Sequence, residues 1–421
     1  MLTAVVGINW GDEGKGRMVD LLSADYDIVC RYQGGNNAGH TVINDHGKIV
    51  LNLLPSGISR EGTVNVMGNG MVIDLEHLVH EIQSLREKGI HIGPDNLKIS
   101  DKAVICLPWH KMQDIMEEDR LKDKKFGSTR RGIGPVYADK YMKKAVRMGD
   151  LFAPDKLPEK VAGLTEWKNL TVRGYGHEPV KAEDILAWLH EFGDPIKPYI
   201  TDVSDYLYDE AVAGKNIMFE AQLGALRDIE FGIYPYTSSS CTLAGYATIG
   251  AGIPGLKLDK TIGIMKAYSS CVGEGPFTVE MFGDEAEALR RAGGEYGAAT
   301  GRPRRVGAFD VPASRYGVRM HGADCVALTK LDVLSYMEKI PVCVAYDING
   351  EITKKFPVGE RLNAAKPVFE YMDGFGDISH CRKPEDLPKA AMDYIRYLEA
   401  AVGCKIKYVS VGAGRDEYIE L

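Results

Sequence analysis

Short runs rich in valine and isoleucine alternate along this chain with stretches of helical periodicity, and that alternation restricts the fold more than any other feature. Thr3–Ile8, Ile28–Tyr32, Ile49–Leu54 and Val64–Met67 have the composition of strands and are bounded by Gly, Asn or Pro. Leu75–Lys88 is amphipathic and stops at Gly89, and Pro108–Leu121 opens on the proline that helix starts favour. Further strands are expected at Ile217–Phe219, Ile262–Ala267, Cys325–Leu328, Val342–Tyr346 and Lys407–Val411, with a helix over Ala390–Val402. Strands alternating with helices predict an α/β protein built on a large, mostly parallel central sheet. The stretch 154–198 is polar and helix-like, so a mostly helical insertion is expected over about residues 100–200. No linker or internal repeat divides the chain. Residues 1–421 are therefore expected to form one large domain with insertions.

Glycine usage says where ligands go. The chain has 47 glycines in 421 residues, well above an average near ~7%. They cluster at 7–16, 34–39, 127–134, 293–301 and 412–414. Gly-rich loops at strand ends are where open α/β sheets bind ligands.

The formal net charge is −8. Such a chain is not built to coat nucleic acid or an anionic membrane, so any phosphate must be held by local loops and a few cations. Eight cysteines are scattered without a C-x-x-C pair, which argues for reduced core thiols over a disulfide or zinc framework. No stretch approaches the ~20 apolar residues that span a bilayer, and Leu2–Ile8 is too short for a secretory signal. A soluble, cytoplasmic protein is expected.

Five loops carry chemistry. Gly7-Ile8-Asn9-Trp10-Gly11-Asp12-Glu13-Gly14-Lys15-Gly16 joins the first strand to a helix-like Arg17–Leu22. Glycines there free backbone N–H groups to face a phosphate, and the helix start adds partial positive charge. It is not a standard P-loop: Asn9 replaces a glycine, and Gly16 the hydroxyl that normally holds magnesium. Asp12 is the substitute oxygen ligand. The second loop, Gln33 to Thr41, surrounds His40 with small residues, as a catalytic imidazole facing a ligand requires, although a satisfied structural histidine fits too. Gly127-Ser128-Thr129-Arg130-Arg131-Gly132 suits a monophosphate or a carboxylate, and Thr300-Gly301-Arg302-Pro303-Arg304-Arg305 suits a dicarboxylate or a phosphate; a solvated basic face is the competing reading of each. Finally, Thr329-Lys330-Leu331-Asp332 follows a buried strand in the manner of guanine-recognising loops. Ser410 to Arg415 closes the same pocket.

In this order the loops resemble adenylosuccinate synthetase from Val5 to about Ile419, most specifically in Trp10–Gly16 and Tyr32–Thr41. The resemblance implies a P-loop-NTPase-like fold with helical insertions. It also implies GTP-dependent ligation of L-aspartate to IMP through 6-phosphoryl-IMP, in a homodimer. Asp12 is then the base and His40 the general acid or charge stabiliser, with Mg2+ held by Asp12 and the Gly39 carbonyl. GTP falls to Gly11, Glu13, Gly14, Lys15, Gly16, Thr41, Arg304, Lys330, Asp332, Gly412 and Ala413. IMP and aspartate fall to Asn37, Ala38, Ser128, Thr129, Lys143, Gln222, Leu223, Ser238, Thr300 and Arg302. The sequence departs from the family pattern at Ala221-Gln222-Leu223-Gly224, where the IMP-contacting glutamine falls one residue early. Further departures are Ser238 for Thr, Cys241 for Asn, Lys143 for the dimer-crossing Arg, Cys271 for Arg and Arg130 for Gly. All lie on the purine monophosphate side, which leaves a modified acceptor purine open. Two readings compete with the ligase: a guanine-nucleotide switch that hydrolyses GTP slowly, and an assembly protein on a retained nucleotide fold.

Overall fold

The computed structural model describes residues 1–44, 46–297 and 301–421. Ten strands form the central sheet: β1 (Leu2–Gly7), β2 (Ile28–Arg31), β3 (Val64–Met67), β4 (Leu97–Ser100), β5 (Ile200–Thr201), β6 (Ile217–Glu220), β7 (Lys260–Lys266), β8 (Cys325–Thr329), β9 (Ile406–Ser410) and β10 (Tyr418–Glu420). Across the sheet they run β10-β9-β8-β7-β1-β6-β2-β3-β4-β5. Neighbours are parallel except at the β9–β10 edge.

β1 is buried along its whole length. Its residues alternate between two cores. Ala4 and Val6 pack with Val203 and Leu207 on one face, and Val5 with Met18 and Val19 on the other. Helices on both faces explain why the strand reads as a continuous apolar run. The chain leaves β1 toward β2 on one side and later returns to β7, β8 and β9 on the other. Such a switch opens a crevice outside the carboxyl ends of the strands. The loops after β1, β2, β6, β7, β8 and β9 all start at that edge.

Helix α1 (Lys15–Leu22) begins two residues before the expected Arg17. Helix α2 (Leu75–Glu87) is capped by the Asp74 carboxylate, which accepts from the His77 N–H. Between β4 and β5 come α3 (Pro108–Leu121), α4 (Ile133–Tyr141), α5 (Leu157–Gly174) and α6 (Ala182–Gly193). The helical segment expected over 100–200 therefore lies between two adjacent parallel strands.

Two expected strands lie elsewhere than in the central sheet. The run Ile49–Leu54 is strand only to Leu51. Gly47–Leu51 pairs antiparallel with His40–Asn44 in a separate hairpin. Beyond Leu51 the backbone turns because the buried Glu81 carboxylate accepts from the N–H groups of Asn52, Leu53 and Leu54, replacing a strand partner. The run Val342–Tyr346 lies within Lys339–Ile348. That strand pairs antiparallel with Ala365–Asp373 and parallel with Phe309–Asp310, in a smaller sheet.

Candidate active site

The loop after β1 wraps around its own glutamate. Glu13 Oε1 accepts from the N–H groups of Asn9 (3.1 Å) and Gly11 (2.8 Å), and Oε2 accepts from Lys15 Nζ (2.6 Å). Both side chains are buried. Gly14 precedes α1 at φ 94 and offers no side-chain cap, so the first helical amides keep their donor capacity for an anion. Asp12 stands out of this nest at φ 59, half-buried, with Oδ2 3.2 Å from Arg304 Nε. The pair is an ion contact without a well-aligned hydrogen bond.

His40 opens the hairpin strand and packs directly on α1. A Cβ added at Gly16 would lie 2.5 Å from His40 Cβ, so the absence of a side chain at 16 is what lets the imidazole approach the phosphate loop. His40 Nδ1 is 2.5 Å from Glu220 Oε1. Glu220 ends β6 fully buried and also accepts from Ser56 N (2.7 Å) and Ser56 Oγ (2.5 Å). Burial lowers the His40 pKa below that of a free imidazole, against the pull of Glu220; Arg31 and Lys15 lower it further. Burial raises Glu220, yet His40, Arg31 and Ser56 outweigh it and keep it below the usual carboxylate value. The pair is thus a neutral imidazole on an ionised carboxylate. A carboxylate only accepts, so Nδ1 carries the hydrogen and Nε2 presents a lone pair.

The loop after β8 is stitched to the first. Thr329 Oγ1 donates to the Glu13 carbonyl (2.6 Å), and Leu331 N–H donates to the Ser410 carbonyl. Arg17 of α1 ties in the last loop through Ser410 Oγ and the carbonyls of Gly414 and Glu417. Arg415 pairs with Asp20 at 2.6 Å. Lys330, at φ 60, donates to Gly293 O and to Glu295 Oε1. Asp332 Oδ1 is buried with no hydrogen-bond partner among the described residues, and burial raises its pKa. An orphaned buried acceptor costs roughly 1–3 kcal/mol, which a ligand donor recovers. A guanine edge, N1–H beside a 2-amino group, supplies two such donors; adenine has no such pair. Asp332→Asn is expected to weaken GTP by about 10–100-fold in KM, from the same energy, and to favour a 2-oxo base such as XTP over GTP. Undiminished GTP preference in a nucleotide competition assay would refute that role.

The acceptor side is less uniform. Asn37 Oδ1 accepts from Gly35 N–H, and the Ala38 carbonyl accepts from Asn52, beside the exposed Gly39 and half-buried Thr41. Ser128 Oγ donates to Asp114 (2.6 Å), while Thr129 is exposed. Ser238 Oγ lies 3.2 Å from Ser240 Oγ, which bonds Gln33. Gln222 is fully buried beneath the Gly34–Gly35 turn, its Nε2 donating to the Gly35 carbonyl (2.8 Å); it does not face the cleft. Leu223 does. It is half-buried at φ 60 and packs against Gly11. Left-handed backbone costs a branched residue roughly 1–2 kcal/mol. Cys271 accepts from Arg227, a buried guanidinium that also donates to the Tyr236, Val272 and Glu274 carbonyls. Arg302 is exposed, 3.8 Å from Glu274. Gly412 and Ala413 lie in the Arg17-bound loop near Glu417. Lys143 is exposed just past α4 at φ 62. Thr300 lies outside the described residues. Glu220 and Glu295 were not singled out in the sequence. A charged residue ending the apolar strand Ile217–Glu220 was the available signal for the first.

Loops that converge at the carboxyl edge of a parallel α/β sheet, with a nest of backbone amides, a buried imidazole–carboxylate pair and a buried carboxylate oxygen without a partner among the described residues, fit a nucleotide-dependent enzyme. The model of the family "adenylosuccinate synthetase" matches residues 4–419, and the chain belongs to that family: GTP-using ligases that join aspartate to IMP in AMP synthesis. It is 44% identical to the adenylosuccinate synthetase of Caldanaerobacter subterraneus, over 100% of this chain and 99% of that one. Against that of Lactococcus lactis the identity is 42%, over 98% and 96%. The solved structure of fully ligated adenylosuccinate synthetase from Plasmodium falciparum superposes with a TM-score of 0.92 at 36% identity, covering 100% of this chain and 99% of that chain. A cyanophage succinoaminodeoxyadenylate synthetase, at 18% identity and TM-score 0.61, shares the fold. No described helix is long and apolar enough to cross a membrane.

Proposed function

We propose that this chain makes adenylosuccinate in two steps at the cleft between Asp12 and His40. Asp12 takes the N1 proton of IMP, so that O6 becomes nucleophilic and attacks the γ-phosphorus of GTP. GDP leaves and 6-phosphoryl-IMP forms. The aspartate amine then attacks C6, loses its proton and expels phosphate. The observation that carries this reading is the packing of His40 against Gly16, which sets the imidazole beside the loop where phosphates belong.

Each side chain has one task. Lys15 and the α1 amides hold phosphate oxygens, and GTP binding draws Lys15 from Glu13. His40 Nε2, protonated once the triphosphate brings its negative charge, donates toward the transferred group. Charge spread over that group is stabilised chiefly by positioned cations, here Lys15 and Arg304. Ser128 and Thr129 hold the IMP phosphate, with Asn37, Ala38, Leu223 and Ser238 around the nucleotide and Gln222 supporting the Gly34–Gly35 turn from beneath. Arg302 and Thr300 take the aspartate carboxylates. Lys330, Asp332, Gly412 and Ala413 hold guanine. In a homodimer Lys143 reaches the partner's IMP, and its exposure beyond α4 supports that role.

Magnesium fits the donors present. A partly exposed carboxylate at Asp12 and the exposed Gly39 backbone supply hard oxygens, and magnesium is commonly held by one or two such groups together with substrate phosphates. When bound, the ion neutralises phosphate charge.

The direct test mixes protein, IMP, aspartate, GTP and magnesium and follows purine ultraviolet absorbance. The expected change stops when IMP or aspartate is omitted. Phosphate release from GTP alone, with no change in the purine, is the result that refutes the ligase reading. Other 6-oxopurine monophosphates in place of IMP test whether Leu223, Cys241 and Cys271 alter acceptor choice.

A further inference from the structure

One buried carboxylate holds cations from three separate segments, and neither the phosphate loop nor the acceptor chemistry uses it. Glu295 is fully buried. Its Oε1 accepts from Lys266 Nζ (2.8 Å), from Lys330 Nζ (2.9 Å) and from the Tyr268 hydroxyl. Its Oε2 accepts from Arg304 Nη1 (2.9 Å). Lys266 ends β7 and also donates to Ser270 Oγ (2.5 Å). Lys330 belongs to the loop after β8, and the Arg304 guanidinium also makes an ion contact with Asp12.

We propose that Glu295 is a positioning residue for GTP: it couples the guanine loop to the arginine beside Asp12, so that Lys330 and Arg304 engage the nucleotide as one unit. The inference rests on the roles given to Lys330 and Arg304 above. Three donors share Oε1 and Arg304 holds Oε2, so a shift of one donor disturbs the others through the shared carboxylate. Removing the carboxylate leaves the buried Lys266 and the half-buried Lys330 and Arg304 without their shared anion, so they repel one another and the two outer cations retreat toward solvent. Burial, with Lys330 adding to it, pushes the Lys266 ammonium down to about 8 even with Glu295 in place. Burial raises Glu295 itself, but Lys266 and Lys330 dominate and hold it well below the ordinary carboxylate range. The network runs Lys330–Glu295–Arg304–Asp12, from the base-reading loop to the catalytic carboxylate.

The experiment is a mutant cycle on GTP binding by calorimetry, with magnesium and without IMP or aspartate. Lys330→Ala and Arg304→Ala are each expected to weaken GTP about tenfold or more. The double variant is expected to fall short of the product of the single effects by about fivefold or more, because losing one partner already loosens the other. Glu295→Gln should weaken GTP, leave IMP binding within about twofold, and reduce that coupling factor to within about twofold. Single effects that multiply fully in the wild-type background overturn the coupling while leaving the GTP roles intact. Single variants with unchanged GTP affinity overturn those roles, and the coupling with them. Should Glu295→Gln not fold, the cycle in the wild-type background decides alone. A merely structural role for Glu295 predicts losses in IMP and GTP binding together, with Lys330 and Arg304 independent.

Discussion

Asp12→Asn is expected to lower kcat by about a thousandfold or more while the thermal midpoint stays within a few degrees of wild type. General-base loss alone is worth about 10²–10⁴, and Asp12 is also the proposed oxygen ligand for magnesium, whose charge stabilises phosphoryl transfer. Asparagine is a cleaner replacement than alanine for a physical reason. Residue 12 sits at φ 59, a region that Asn tolerates and Ala does not. The asparagine variant keeps the loop while removing both the proton acceptor and the negative charge. The partner Arg304 keeps its hold on Glu295, so the arginine loop should stay in place. Turnover within tenfold of wild type, measured with all three substrates saturating, would remove Asp12 as the base.

The second large effect concerns a pair. His40→Asn is expected to reduce kcat by about a hundredfold to ten-thousandfold. Glu220→Gln should reduce it less, and should also change its pH dependence. The Glu220 carboxylate raises the affinity of His40 for a proton, while burial, Arg31 and Lys15 oppose it. Removing that negative charge lowers the imidazole pKa further. If the protonated imidazole is the acid, kcat falls as pH rises through its pKa in the ternary complex. The alkaline limb of the profile therefore moves to lower pH in Glu220→Gln. A limb that stays in place, or moves upward, is the outcome that sinks this role for Glu220. Proton uptake on GTP binding, measured by calorimetry in buffers of different ionisation enthalpy, provides an independent check. Wild type should take up a proton near neutral pH and His40→Asn should not.

Much of the architecture was legible in the sequence because it depends on local rules. Strand runs such as Val64–Met67 and the helix Pro108–Leu121 match the observed elements at both ends. Apolar β-branched runs and a proline at the first helical turn act over a few residues, and no distant contact overrides them. The tight turn after β1 was legible for the same reason: Gly11 and Gly14 adopt the positive φ that glycine permits.

Other features depended on partners far along the chain. The end of the run Ile49–Leu54 is decided by Glu81, which is itself held on α2. The strand Lys339–Ile348 has the composition of a central strand, yet pairs with Phe309–Asp310 and Ala365–Asp373 in its own sheet. On the acceptor side, residue type marked Gln222 and Leu223 as departures. Only the structure shows the carboxamide buried under Gly34 while the leucine faces the phosphate loop.

Residue identities and short spacings thus determined the α/β class, the glycine-rich turn after β1 and the chemical character of each loop, since these arise from backbone freedom and periodicity within a few neighbours. Tertiary structure decided which loops meet. It set His40 against Gly16, joined Arg304 to Asp12, and made Glu220 and Glu295 the buried carboxylates that hold the site's imidazole and cations. Those contacts join segments far apart in the chain, and their energies depend on burial and low dielectric, quantities that exist only once the chain has folded.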